Sequence, residues 1–111
     1  FWEFCQGMWG PPGSDPRLAA EHELAEETGL TAASLMEVGH LYEGYGHMNQ
    51  AFRVFLATGL TLGEARREAE EQDMVSRRFS RGEFDRMLRE GEIKDSVTVA
   101  AWGLLLVKGL V

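Results

Sequence analysis

The chain has 111 residues, 44% apolar and 26% charged, a globular balance with room for one domain and one core. Its net charge of −7 disfavours a general nucleic-acid binder, which needs a basic surface. No apolar run is long enough to span a bilayer; the nearest, Val97 to Val107, is short and interrupted by Thr98 and Gly103. The opening has no basic segment of a secretory leader. The single cysteine, Cys5, cannot form an internal disulfide, so a reducing cytoplasm is the expected compartment.

Taken in chain order, Phe1 to Phe4 reads as a short aromatic strand, with Cys5 a small buried side chain beside it. Gly7 to Pro16 is a loop rich in Gly and Pro. A helix is predicted from Pro16 to Thr28. Asp15 or Ser14 caps it, Pro16 suits its first turn, and the stretch from Leu18 to Glu27 is almost all Ala, Leu and Glu. Gly29 supplies a left-handed stop. Leu18, Ala20 and Leu24 are expected on its buried side.

Leu35 to Tyr45 and Asn49 to Thr58 read as two strands of an antiparallel hairpin around Gly44-Tyr45-Gly46-His47. Thr61 to Gln72 is a polar, acidic surface loop, and Met74 to Phe79 a third strand. Ser80 caps a helix ending near Arg89, with Glu83 completing a capping box. Asp95 or Ser96 caps a last helix whose Val97, Ala100, Ala101, Leu104 and Leu105 face the core. Arg66-Arg67 and Arg77-Arg78 read as solvated surface pairs, and Trp2, Trp9 and Trp102 as core or interface aromatics. The order strand, helix, hairpin, strand, helix, helix suits a layered α/β domain with a mixed sheet.

Within the first helix, Glu23, Glu26 and Glu27 fall at positions i, i+3 and i+4. Helical geometry puts all three on one face, one turn apart, where like charges repel. They also lie near the C-terminal end, where the helix dipole disfavours negative charge. A hard divalent cation such as Mg²⁺, bound by carboxylate oxygens, offsets both costs and keeps positions free for phosphates. A solvated acidic face is the plain alternative.

The segment Glu23-Leu24-Ala25-Glu26-Glu27-Thr28-Gly29-Leu30 resembles the second half of the Nudix hydrolase signature, R-E-U-x-E-E-x-G-U with U a bulky apolar residue. Trp2-Glu3-Phe4-Cys5-Gln6-Gly7 resembles the strand and glycine that open the same box. With Gly7 as that glycine, the loop to Glu23 is one residue longer than the signature, as in the ADP-ribose pyrophosphatase branch. Glu70-Glu71-Gln72-Asp73-Met74 and Gly91-Glu92-Ile93-Lys94-Asp95-Ser96 are similar to the C-terminal half of that branch. There are two departures: His22 stands where the signature has arginine, and the first signature glutamate falls on Ser14, or on Asp15 with the gap placed differently.

The resemblance implies a Nudix α/β/α sandwich with a mixed sheet over residues 1–111, incomplete at its N-terminus because strands before the box are missing. It implies Mg²⁺-dependent hydrolysis, with Mn²⁺ a possible substitute, of the pyrophosphate bond in a nucleoside diphosphate linked to a second group, such as ADP-ribose or a nucleotide sugar. Gly7 (through its carbonyl), Glu23, Glu26 and Glu27 would hold the metal. Glu23, Glu27 and Glu71 would be catalytic. Tyr42, Tyr45 and His47 would contact substrate at the hairpin tip. His22 is expected to point to a different side of the helix from Glu26 and to orient Glu23, and His40 to be structural. The expected partner is a small nucleotide rather than nucleic acid or membrane, and the open sheet edge suggests a homodimer. The alternatives are a Nudix module that binds nucleotide without turnover, motivated by His22 and Ser14, and an inert fragment.

Overall fold

The computed structural model describes residues 2–6, 13–44, 51–63 and 76–111. Among them are helix α1 (Pro16–Thr28), strands β1 (Leu30–Tyr42) and β2 (Ala51–Leu62), and helices α2 (Arg81–Arg89) and α3 (Ser96–Val107). The strands pair as a two-stranded antiparallel sheet, so the class is mixed α/β. The chain divides into two compact units, one holding the described parts of Cys5–His40 and Arg53–Ser76, the other those of Phe1–Phe4, Leu41–Phe52 and Arg77–Val111.

In the first unit α1 has the predicted bounds, and its ends show why. The Asp15 carboxylate accepts from the Arg17 backbone N–H at 2.9 Å, satisfying one orphan donor of the first turn, and Pro16 needs no partner there. At the other end Gly29 sits at φ 74°, a conformation other residues resist, and its N–H closes on the Ala25 carbonyl at 2.8 Å. The Thr28 hydroxyl donates to the Leu24 carbonyl at 2.6 Å and accepts from the Leu30 N–H at 3.1 Å. The chain thus passes directly from helix to strand, and β1 begins five residues before the expected Leu35. Leu18, expected to be buried, is 49% exposed, while Ala20 and Leu24 are half-buried.

β2 also runs further than expected, to Leu62. The Gly63 N–H donates to the Gly29 carbonyl at 2.9 Å, which closes the far end of the hairpin. Glu37 and Arg53 pair across the strands at 2.6 Å. Leu35, Val38 and Val54 are its buried residues, and the Arg17 guanidinium caps the packing by donating to the Leu35 carbonyl and lying 5.7 Å from the centre of the Phe55 ring. Gly59 interrupts β2 with φ +66°, and a Cβ there would stand 2.6 Å from the Ala33 Cβ. Both the backbone conformation and the contact demand glycine. Gly59→Ala is expected to cost roughly 1–3 kcal/mol, read as a lower denaturation midpoint.

In the second unit the core is Phe84, Met87 and Ile93, with Trp2, Phe4, Phe79, Leu88 and Trp102 packed against it. The rings interlock: Phe4 stacks on Phe84 at 5.3 Å, Trp102 meets Phe84 edge-on at 4.8 Å, and Trp2 meets Phe79 edge-on at 5.2 Å. The Trp102 indole N–H donates to Asp85 at 3.2 Å. Ser80 caps α2 by accepting from the Glu83 N–H at 3.1 Å, while the Glu83 carboxylate accepts from Arg77 at 3.5 Å.

Two expected strands are corrected here. Trp2–Gln6 and Ser76–Phe79 have no regular structure; Phe1, Met74 and Val75 lie outside the described residues. Strand preference depends on a partner strand, and these aromatics are used in the ring cluster instead. The Phe4 N–H donates not to a ladder but to the Thr98 hydroxyl at 3.0 Å. Thr98, which has no exposed surface, donates in turn to the Asp95 carboxylate at 2.7 Å, and Asp95 also caps α3 by accepting from the Thr98 N–H at 2.9 Å. On α3, Ala101 and Leu105 are buried as expected and Val97 and Leu104 half-buried, but Ala100 is exposed and Thr98 takes the buried place. Thr98→Val keeps the shape and removes the hydroxyl. It is expected to destabilise the fold by roughly 1–3 kcal/mol, since the Phe4 N–H loses its acceptor, and thermal unfolding with an exchange measurement at Phe4 would show it.

Candidate active site

The acidic stripe of α1 is where the sequence reading put it. Glu23, Glu26 and Glu27 lie in the last two turns and are each half-buried. Glu23 holds its proton above the ordinary carboxylate range. Burial is the first cause and the neighbouring Glu26 charge the second, against a smaller opposing pull from His22. Like charges at helical spacing produce the repulsion expected of them.

His22 corrects its own expectation. Its Nε2 lies 2.9 Å from Glu26 Oε2, the ordinary reach of an i, i+4 pair, so it shares the face of Glu26 rather than pointing away from it. Both partners keep substantial exposure, 44% and 40%. Such a pair is weak and easily exchanged for another partner of Glu26.

Glu27 is enclosed at its tip: its Oε2 is shielded from solvent. Its carboxylate also meets Cys5, which sequence reasoning had assigned to packing. Cys5 is exposed as a residue, not buried, yet protein atoms crowd its sulfur. That desolvation first, then the charge of Glu27 and a hydrogen bond with it, and last the charge of Glu23, push the thiol up to about 11. The available signal was positional: Cys5 stands two residues before Gly7, in the segment that resembles the opening of the box.

Tyr42 ends β1 and is 54% exposed. His40 is exposed on the same strand. Gly7, Tyr45, His47, Glu70, Glu71 and Asp73 lie outside the described residues. Among the described residues no group of three His, Cys, Asp or Glu side chains converges to hold a metal ion. The donor chemistry of the stripe is nevertheless that of a hard cation, carboxylate oxygens on a rigid helix. No helix among the described residues is long and apolar enough to cross a membrane.

No family model matches the chain. Curated relatives do. The ADP-ribose pyrophosphatase of Mycobacterium tuberculosis is 36% identical over 107 residues, which cover 96% of this chain and 51% of the relative. The chain is a homologue of the ADP-ribose pyrophosphatases. The ADP-ribose pyrophosphatase of Bacillus subtilis is 38% identical over 63 residues, 57% of this chain and 34% of that protein. The Nudix resemblance of residues 23–30 is thus joined by homology along almost the whole sequence. The chain spans about half the length of the Mycobacterium pyrophosphatase, 51%.

Proposed function

We propose that residues 1–111 act as a Nudix domain hydrolysing the pyrophosphate bond of ADP-ribose or a related nucleotide sugar, with Mg²⁺ or Mn²⁺. The observation that carries this reading is the acidic stripe on α1, within a chain homologous to proteins named for that activity. The proposed fold is the α/β/α sandwich with a mixed sheet, of which β1 and β2 are the described pair.

Glu23, Glu26 and Glu27 would hold the metal, with the Gly7 carbonyl as a backbone donor. A bound divalent ion supplies charge neutralisation and makes water a better nucleophile at neutral pH. The side chains do the rest. Glu26 would give up His22 for the ion at little cost, because the pair is exposed. Glu23 and Glu27 are the proposed catalytic carboxylates of the helix, as the resemblance of residues 23–30 implies. Glu71 is the proposed general base or extra ligand, and Tyr42, Tyr45 and His47 are the proposed contacts to base or ribose. The proposed compartment is the cytoplasm, and the proposed partner is a small anionic nucleotide.

The alternative of binding without turnover is favoured by one observation: His22 in place of the arginine fork, which a histidine does not reproduce. Calorimetry with ADP-ribose and Mg²⁺, run beside an assay for released AMP, separates the two. AMP formation that stops in excess chelator is the expected result. Heat of binding with no AMP would leave the module reading in its place.

A further inference from the structure

The segment Gly91-Glu92-Ile93-Lys94-Asp95-Ser96 resembles the C-terminal half of the pyrophosphatase branch, yet it contributes nothing to the acidic stripe. It ends at the N-cap of α3, and three residues past that cap stands Thr98, with no exposed surface. Packing alone does not call for a hydroxyl here. Valine has the same shape, and a buried hydroxyl is costly unless it is hydrogen-bonded. At Thr98 the hydroxyl both donates and accepts, in a fixed order. A carboxylate only accepts, so the O–H points to Asp95 Oδ2 at 2.7 Å and leaves Oγ1 to accept the Phe4 N–H at 3.0 Å. The Thr98 N–H holds the same Asp95 oxygen at 2.9 Å, which fixes the carboxylate in turn.

What this relay grips is main chain. Trp2–Gln6 has no regular structure, so the Phe4 N–H is held by Thr98 instead of a strand ladder. The Phe4 ring is held as well, stacked on Phe84 at 5.3 Å and tilted against Trp102 at 6.5 Å. With backbone and ring both tied, the Phe4 Cα is fixed, and the next Cα follows about 3.8 Å on across a planar peptide. That next residue is Cys5, which is hydrogen-bonded to the Glu27 carboxylate. We propose that Thr98, seated by Asp95, is a positioning residue for the metal: by fixing Phe4 it holds Cys5, one peptide bond on, against Glu27. The proposal rests on the metal reading of the stripe. Without the relay, the Phe4 N–H turns to water, Cys5 leaves Glu27, and the carboxylate must be ordered when the ion arrives, which costs affinity. Thr98 touches neither ion nor substrate, so the effect falls on binding of the ion rather than on the chemical step.

Three measurements on the full chain, made well below the melting temperature, test it: Mn²⁺ affinity by paramagnetic resonance, the metal-free alkylation rate of Cys5, and AMP release at graded Mg²⁺. In Thr98→Val the Mn²⁺ affinity is expected to fall about 10-fold, the loss typical of a partner outside the ligand shell. Cys5 should alkylate severalfold faster. The Mg²⁺ needed for half-maximal turnover should rise with the Mn²⁺ dissociation constant, while kcat at saturating Mg²⁺ stays within about twofold of wild type, the mark of a lost binding contact. Thr98→Ser, which keeps the hydroxyl, should restore all three. Asp95→Asn keeps a capping oxygen, and with it the fold, and should move all three the same way by less. Leu105→Ala is the destabilised control, since it opens a cavity in α3 with the relay intact and should lower the melting temperature without weakening Mn²⁺ binding. Wild-type Mn²⁺ affinity in both Thr98→Val and Asp95→Asn overturns the positioning role alone, as does a Leu105→Ala variant that loses as much affinity as Thr98→Val. A wild-type chain that takes up no Mn²⁺ overturns the metal reading and this role with it.

Discussion

Glu27→Gln is expected to lower Mg²⁺-dependent ADP-ribose turnover about 100- to 1,000-fold, the loss seen when one preorganised electrostatic contact is removed. The glutamine keeps the length and the hydrogen-bonding oxygen but removes the charge that a hard cation needs. Glu26→Gln should fall nearly as far, although Glu26 is bound to His22 in the structure. Neither change touches a buried apolar contact, so circular dichroism and the melting temperature should stay near wild type. Full activity in both variants, or equal turnover in excess chelator, would refute a metal role for the stripe. The comparison also separates an active enzyme from a binding module, which would lose Mg²⁺-dependent affinity in both variants without ever releasing AMP.

How much of this was legible in the sequence depended on whether the signal was local. α1 could be read to the residue, because Asp15, Pro16 and Gly29 each act through bonds within one turn. The caps of α2 and α3, Ser80 and Asp95, were legible for the same reason. The hairpin was found, but its far end was not. The residues from Leu30 to Ser34 carry no strong strand preference, and they join β1 only through partners about thirty positions away, as with the Thr31 hydroxyl donating to the Thr61 carbonyl at 3.4 Å.

The aromatic segments at Trp2–Phe4 and Phe79 looked like strands because aromatic residues favour pleated surfaces. A ring cluster makes the same use of them, and spacing along the chain does not tell the two apart. At the candidate site, the alignment of Glu23, Glu26 and Glu27 followed from helical periodicity. So did the His22–Glu26 pair, whose i, i+4 separation placed both on one face despite the contrary expectation. The meeting of Cys5 with Glu27 had no such signal, since it joins residues far apart in sequence.

That meeting gives the second large effect. At pH 8, Cys5 in the metal-free protein is expected to react with iodoacetamide roughly 100-fold more slowly than an unhindered thiol, because each unit of upward shift removes about nine-tenths of the thiolate. The rate should go on rising until pH is about 11 instead of levelling off near the ordinary value of 9.0. Stability carries the same sign. The folded chain holds this proton more tightly than the unfolded chain does. Stability is therefore whole below the unfolded thiol's range and is lost as pH climbs toward about 11. Glu27→Gln removes the charge that, after burial, does most to hold the proton, so it should speed alkylation severalfold. Mg²⁺ added to the wild-type chain should act in the same direction if Glu27 takes it up, because a carboxylate neutralised by the ion no longer opposes the thiolate. The two effects must not add: in Glu27→Gln, Mg²⁺ should leave the alkylation rate unchanged. A rate that Mg²⁺ leaves untouched in the wild-type chain, while Glu27→Gln still accelerates it, would place the cation away from Glu27.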